Sequence, residues 1–167
     1  MSRKASFTVP GLTEETGHQV AEALQLRLHA MNDLQLALKH AHWNVVGPSF
    51  IGVHEMLDPQ IELVRGFADE LAERMATLGV SPSGLSGDLV ANRSWGDYPE
   101  GRADTQTHLR AINDVYTGII EDHRAAIAKI GDVDPVSEDL LIGQTAELEK
   151  FQWFVRAHLE NGSGEIK

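Results

Sequence analysis

The chain has 167 residues, 42% of them hydrophobic, and a formal net charge of −11. This length predicts one domain with a substantial core, and the excess of 25 acidic over 14 basic residues argues against a nucleic-acid-binding body, which usually presents a basic face. The absence of cysteine excludes disulfides and thiolate metal sites; without an apolar run that resembles a signal peptide or a membrane span, we expect a cytoplasmic protein.

Four long helical segments are predicted in chain order. Their expected bounds are 13 to about 46, 49 to about 79, about 105 to 130, and 134 to about 161. Thr13, Ser49 and Asp134 stand at the N-cap positions, and Pro135 follows in the first turn of the last helix, where proline is favoured. We expect a single domain with short flexible termini at about 1–10 and 161–167.

The connections between these helices differ in length. Residues 47–49 and 131–134 form short turns, so helices one and two, and helices three and four, are expected to be antiparallel neighbours. The linker at 80–103 is long and rich in Gly, Ser and Pro, and a short extra helix is expected at 88–91. This pattern favours an all-α four-helix bundle of two hairpins joined by one long crossover; a plain up-down-up-down bundle is the alternative.

Five side chains able to bind a metal ion are regularly spaced: His42, His54, Asp58, Asp69 and Glu73. The gaps from 54 to 58 and from 69 to 73 are about one helical turn, so each pair lies on one helix face. Mixed imidazole and carboxylate ligands suit iron, zinc or manganese. The pattern therefore predicts a metal site, and the short turn is expected to bring the imidazole of His42 near that of His54.

On a helical wheel, the second helix has an apolar stripe that should face the core of its own bundle, formed by Leu57, Ile61, Val64, Ala68, Leu71 and Met75. The four candidate ligands on this helix fall in a sector of about 100°, centred roughly 130° from that stripe. Asp58 and Asp69 are separated by ~16 Å along the axis, too far to share one ion. The two pairs meet only if a second copy of the helix lies antiparallel across a two-fold axis, which predicts a metal site between subunits. Pro59 is expected to kink this helix.

Residues 40–79, HAHWNVVGPSFIGVHEMLDPQIELVRGFADELAERMATLG, resemble the signature of the Dps family, the DNA-binding proteins from starved cells, which are the miniature ferritins of bacteria. The resemblance covers nearly the whole chain, including EKFQWFVRAHLE in the last helix. It implies a ferritin-like fold, a hollow dodecamer and a ferroxidase centre at the two-fold interface. His42, His54 and Asp58 would come from one subunit, and Asp69 and Glu73 from its neighbour.

The same resemblance implies a reaction. In the family, two Fe²⁺ ions per centre are oxidised, usually by H₂O₂ in preference to dioxygen, and the ferric product mineralises inside the shell, which protects against oxidative damage. Asp69, Glu73 and His42 are expected to hold the tighter iron, and His54 and Asp58 a weaker second one.

Other roles implied by the resemblance each have a simpler alternative. Trp43 resembles the family's tryptophan near the centre, where it would intercept a stray oxidising equivalent; packing at the dimer interface is the alternative. Glu55 and Glu62 are candidates for nucleating mineral on the cavity wall, or are merely solvated.

Six further histidines fit no ligand set: His18, His29, His40, His108, His123 and His158. Phe151, Trp153 and Phe154 are interpreted as core.

Acidic residues surround the start of the last helix: Asp132, Asp134, Glu138 and Asp139. The family builds acidic three-fold pores there, which attract cations, and Asp139 is the favoured pore residue. Helix capping is the competing interpretation, because acids in the first turn offset the helix dipole.

Three other functions are weighed against this one. An intrabundle di-iron site needs Glu-x-x-His on two helices, and only Glu15 to His18 has that spacing. The segment 54–58 differs by one residue from the HExxH pattern of zinc hydrolases, with Asp58 in place of the second histidine. The third alternative is a non-enzymatic, nucleoid-associated DNA-protecting protein. Because the tails carry only Arg3, Lys4 and Lys167, DNA binding is expected to be weak or absent.

Overall fold

The computed structural model describes residues 6–166 and is built almost entirely from helices. Its elements in chain order are α1 (Glu14–Asn44), β1 (Val45–Val46), α2 (Phe50–Thr77), α3 (Ser86–Asn92), β2 (Ala103–Asp104), α4 (Thr105–Ile130) and α5 (Pro135–Leu159). The four long helices are confirmed, and so is the short helix in the crossover, which is longer than predicted. The tail cations Arg3, Lys4 and Lys167 lie outside the described residues.

Helix α1 begins as predicted but ends two residues early. The hydroxyl of Thr13 accepts a hydrogen bond from the amide of Thr16 at 3.1 Å, as an N-cap should. At the other end, the prediction that the helix reaches residue 46 is wrong, because Val45 and Val46 pair in parallel with β2. Valine is branched at Cβ and favours extended backbone, and Gly47, with φ of 92°, then turns the chain into α2.

Two predicted N-caps occupy their positions without capping through their side chains. Ser49 precedes α2 in the left-handed conformation, with φ of 65°, and makes no side-chain capping hydrogen bond. Asp134 precedes α5, and its side chain also makes no capping bond. Its carboxylate instead accepts hydrogen bonds from Arg74 Nη2 at 2.7 Å and from Ser137 Oγ at 2.5 Å. The N-cap positions of Ser49 and Asp134 are therefore confirmed, but neither side chain makes the expected capping hydrogen bond.

The helices form two antiparallel hairpins, α1 with α2 and α4 with α5. In the second hairpin, for example, Gln152 of α5 lies 3.3 Å from the Asn113 side chain of α4. The parallel pairing of β1 with β2 places the starts of α2 and α4 side by side, and Thr105 Oγ1 donates to the carbonyl of Pro48 at 3.3 Å there. Helices α2 and α4 therefore run in the same direction, which confirms the ferritin-like arrangement over an up-down-up-down bundle.

The core lies between the four long helices and contains the predicted apolar stripe of α2, which continues through Pro59. One aromatic prediction is wrong: Phe151 is buried, but Trp153 is 56% exposed. Two residues on a helix are separated by about 200°, so Trp153 points away from the face that buries Phe151. No helix within residues 6–166 is long and apolar enough to cross a membrane.

Candidate metal centre

Two histidines meet where α1 ends and α2 begins. His42 Nδ1 lies 2.9 Å from the backbone oxygen of His54, and His54 Nδ1 lies 2.9 Å from the backbone oxygen of His42. A carbonyl oxygen only accepts hydrogen bonds, so each Nδ1 carries the proton and donates it. Both hydrogen bonds use Nδ1, so Nε2 of each ring is the nitrogen left for a metal ion to bind.

The two imidazoles are also held face to face. Their ring centroids are 3.6 Å apart with an interplanar angle of 22°. His42 is buried, whereas His54 is partly exposed, with the ring of Phe50 5.0 Å away. The prediction that the two imidazoles lie close together is confirmed, and backbone geometry fixes both tautomers.

The carboxylate of Asp58 lies beside this pair and is already occupied by a cation. Asp58 Oδ1 accepts a hydrogen bond from Lys39 Nζ at 2.7 Å and lies 3.3 Å from His42 Nδ1. The hydrogen bond from Lys39 is the main reason that the pKa of Asp58 is lowered. Sequence reasoning missed Lys39, although its position three residues before His42 placed it on the same side of α1.

Asp69 and Glu73 lie elsewhere on α2 and are exposed. Within residues 6–166, no three His, Asp or Glu side chains are placed to bind one metal ion. The subunit therefore carries two separate groups: a histidine-containing half-site of His42, His54 and Asp58, and a carboxylate half-site of Asp69 and Glu73. Within the described residues of one subunit, the two half-sites do not meet.

Large apolar side chains are exposed around the histidine-containing half-site. Trp43 is 71% exposed, Ile51 57% and Phe50 38%. Exposed apolar groups that cluster beside polar ligands are typical of surfaces covered by another protein chain. Sequence reasoning missed Phe50 and Ile51; the signal was two adjacent apolar residues in the first turn of α2, outside its core stripe.

The candidate nucleation and pore residues differ in exposure. Glu55 and Glu62 are both exposed, and Glu62 pairs with Arg65 at 3.2 Å. Asp132 and Asp139 are exposed and Glu138 is partly exposed. These side chains are therefore accessible to solvent in the isolated subunit.

Asp134, by contrast, is only 3% exposed and is paired with Arg74. Burial alone would raise its pKa, but hydrogen bonds from Ser137 and Arg74 outweigh burial, so the net pKa is lowered. Its negative charge is balanced inside the subunit, which leaves Glu138 and Asp139 as the better candidates for a pore.

The residues of two rival sites do not converge. Glu15 is exposed at the start of α1. The sequence has no second Glu-x-x-His pair that could complete an intrabundle di-iron site with Glu15 and His18. In the segment that resembles HExxH, Glu55 is exposed and Asp58 is held by Lys39.

Comparison with known proteins agrees with this fold. The model of the ferritin-like domain family matches residues 21–164. The chain is 61% identical to the fine tangled pili major subunit of Haemophilus ducreyi, over 99% of this chain and 88% of that protein. It is 59% identical to the DNA protection during starvation protein of Mycolicibacterium smegmatis, over 96% of this chain and 88% of that one.

Solved structures give the same result. DpsA14 from Streptomyces coelicolor superposes with a TM-score of 0.97 at 54% identity, over 100% of this chain and 99% of that one. The Mycobacterium smegmatis Dps in its tetragonal form gives a TM-score of 0.95 at 59% identity, over 97% and 98% of the two chains. With its helix order, its crossover and this similarity along nearly its whole length, the chain belongs to the Dps family of ferritin-like proteins.

Proposed function

We propose that this protein oxidises Fe²⁺ at di-iron sites shared between two subunits, with H₂O₂ as the oxidant, and stores the ferric product inside an oligomeric shell. The observation that carries the proposal is the reciprocal hydrogen bonding of His42 and His54, which uses Nδ1 of both rings and leaves Nε2 of both for a metal ion. Such an arrangement is expected of metal ligands, whose second ring nitrogen is usually held by a carbonyl or carboxylate.

The two half-sites divide the ligands unequally. Asp69 and Glu73 are exposed carboxylates, hard oxygen donors that favour Fe³⁺ as it forms, so with His42 they would hold the tighter iron. His54 and Asp58 would hold the weaker one, because Lys39 competes for the Asp58 carboxylate. Two irons supply the two electrons that reduce one peroxide to water, so no hydroxyl radical needs to be released.

Each centre would require two subunits related by a two-fold axis. The histidine-containing half-site of one subunit would face the carboxylate half-site of the other, and symmetry would give two centres per dimer. The exposed Trp43, Phe50 and Ile51 would supply apolar contacts around each centre. By family membership, we propose that six such dimers form a hollow dodecamer.

Iron supply and storage would involve other acidic groups. Glu138 and Asp139, near the start of α5, would line a pore that attracts Fe²⁺, with the exposed Asp132 nearby. Glu55 and Glu62 on α2 would nucleate mineral on the cavity wall. Trp43 beside the centre would intercept stray oxidising equivalents.

Protection of DNA, the role in the name of the starvation-protein relative, would here follow from removing iron and peroxide. The net charge of −11 per chain, multiplied over an oligomer, repels the phosphate backbone. We therefore propose weak or no direct DNA binding and a cytoplasmic or nucleoid-associated location.

The test is a titration of anaerobic, Fe²⁺-loaded protein with H₂O₂, following ferric absorbance. We expect two irons oxidised per peroxide and retention of the product by a large assembly. The double variant Asp69→Asn with Glu73→Gln should lose the fast phase. A control with the same charge change, Asp114→Asn with Glu121→Gln on exposed positions of α4, should keep it. Unchanged kinetics in the first double variant would contradict the proposal.

A further inference from the structure

A tyrosine and a histidine form a hydrogen-bonded pair beside α1, where the tyrosine ring contacts His40. Tyr98 lies in the crossover between α3 and β2, and its hydroxyl oxygen is 2.9 Å from Nδ1 of His108, in the first turns of α4. The same hydroxyl lies 3.4 Å from the backbone oxygen of His108, so the shorter and stronger hydrogen bond is the one to Nδ1. The two rings are parallel within 6°, with centroids 6.0 Å apart. His108 is fully buried and Tyr98 is partly buried.

The electrostatics of the pair define its resting state. Burial raises the pKa of Tyr98, so the phenol keeps its proton. Burial also lowers the pKa of His108, so the imidazole is neutral at pH 7. The backbone carbonyls of Asn44 and Gly101 act in the opposite direction, because they favour a protonated ring. The imidazole is therefore a neutral base with groups beside it that would stabilise an added proton.

The pair lies on the side of α1 opposite His42. The ring of His40 is packed against Tyr98 with centroids 5.9 Å apart, and its Nε2 lies 2.9 Å from the backbone oxygen of Glu100. His40 precedes His42 by two residues, ~3 Å along the helix axis. The packing of one helix thus joins the tyrosine to the end of α1 that carries the histidine-containing half-site.

We propose that Tyr98 and His108 form a proton-coupled one-electron donor that quenches hydroxyl radical produced when Fe²⁺ meets peroxide away from the centres. This inference rests on the proposed function, which places both reactants in the shell. Tyr98 gives up one electron, its phenolic proton moves to Nδ1 of His108, and the hydroxyl radical becomes hydroxide. The products are a neutral tyrosyl radical, an imidazolium ion and hydroxide.

The pair is then restored by the protein's own substrate. One Fe²⁺ supplies an electron to the tyrosyl radical and becomes Fe³⁺, while the proton returns from His108 Nδ1 to the phenolic oxygen. Over both steps, one hydroxyl radical and one Fe²⁺ give one hydroxide ion and one Fe³⁺. The pair ends in its starting state, and a damaging radical is converted into further iron oxidation.

The second tyrosine of the chain provides an internal control. Tyr116 is fully buried and donates its hydroxyl proton to Gln60 Oε1 at 2.7 Å. An amide oxygen is a very weak base and does not take up the proton of an oxidised phenol. Of the two tyrosines, only Tyr98 has a neutral imidazole within hydrogen-bonding distance of its phenol.

The test uses metal-free protein, so that it does not depend on iron oxidation. The protein is labelled with ring-deuterated tyrosine, oxidised photochemically with ruthenium tris(bipyridine) and a sacrificial acceptor, and examined by electron paramagnetic resonance after rapid freezing. We expect a neutral tyrosyl signal in the wild type that falls at least fivefold in Tyr98→Phe and is retained in Tyr116→Phe. A signal of wild-type size in Tyr98→Phe would overturn the proposal.

His108 is tested separately, because Tyr98→Phe removes only the electron donor. His108→Gln keeps a polar side chain but removes the base, and we expect a several-fold lower radical yield; an unchanged yield would overturn the role of His108. A melting temperature within a few degrees of wild type shows that His108→Gln is folded. If His108→Gln is not folded, His108→Asn is used in its place. If the wild type fails to oxidise iron with peroxide, the proposed function fails, whereas the photochemical result still decides whether this pair is redox-active.

Discussion

The histidine-containing half-site, at the junction of α1 and α2, and the carboxylate half-site on α2 are prepared to different degrees within one subunit. His42 and His54 are fixed by reciprocal hydrogen bonds and stacking, and Asp58 is fixed by Lys39. Asp69 and Glu73 are exposed, and the structure gives their carboxylates no comparable support. Ligands that bind through one constrained nitrogen need orientation before the ion arrives, whereas exposed carboxylates can adjust to an ion presented by a partner subunit.

The largest expected effect comes from combining two inactive chains. A chain with His54→Ala and Asp58→Ala, and a chain with Asp69→Asn and Glu73→Gln, should each lose fast iron oxidation when assembled alone. In a mixed dimer, one centre has all of the substitutions and the other has none. Co-assembly should therefore restore up to about half of the wild-type activity per mixed dimer, measured as the fast ferric phase. No recovery in isolated mixed assemblies would mean that the half-sites do not combine between subunits.

A substitution outside both half-sites should prevent two subunits from associating and so keep the half-sites of the two subunits apart. Ile51→Glu places a charge on the exposed apolar surface beside His54, where a desolvated carboxylate is strongly unfavourable. We expect loss of the large assembly in light scattering and loss of fast iron oxidation, while far-ultraviolet circular dichroism keeps the helical signal. Ile51→Met, which preserves the apolar surface, is the control. A full-size assembly in Ile51→Glu would exclude this surface from the interface.

Acid should weaken the bundle itself. The pKa of His123 is lowered to about 4, below the ordinary value near 6.5. Burial is the largest cause, and the charge of Arg27 is the second. The unfolded chain therefore binds more protons than the folded one between these values, and stability falls as the pH drops from about 6.5 to 4. The difference is worth up to about 3 kcal/mol of unfolding free energy.

Thermal melts of wild type and His123→Leu between pH 7.5 and 4.5 test this expectation. The loss of melting temperature on acidification should be smaller in the variant. His158→Leu, at an exposed position of α5, should behave like the wild type. Equal acid sensitivity in wild type and His123→Leu would contradict the assignment.

The smallest effect concerns the ion pair between Lys39 and Asp58 in the histidine-containing half-site. Lys39→Met removes the competitor for Asp58, so the weaker iron should bind about two- to fivefold more tightly, in keeping with an exposed ion pair. Anaerobic Fe²⁺ titration by calorimetry measures this change. Lys39→Arg, which keeps the charge, should stay near wild type. Weaker binding in Lys39→Met would mean that Lys39 positions Asp58 rather than competing with the metal.

The sequence by itself determined most of the local structure. Helix periodicity, the Thr13 cap and the lengths of the connections predicted the four helices, their pairing and the crossover, because each depends on residues near in sequence. Spacing also determined that the candidate ligands of α2 fall into two groups too far apart for one ion. The prediction that Trp153 belongs to the core failed, because aromatic character alone does not say which face of a helix is buried.

Only the tertiary structure decided how individual side chains are used. Asp134 is an internal partner of Arg74, Ser49 adopts a left-handed turn, and Lys39 occupies Asp58; each depends on contacts between elements or on local backbone that spacing does not encode. The tautomers of His42 and His54 are set by backbone oxygens brought together by the turn between α1 and α2. Hydrogen-bond partners depend on distances of a few tenths of an ångström, whereas helical periodicity fixes only the face on which a residue lies.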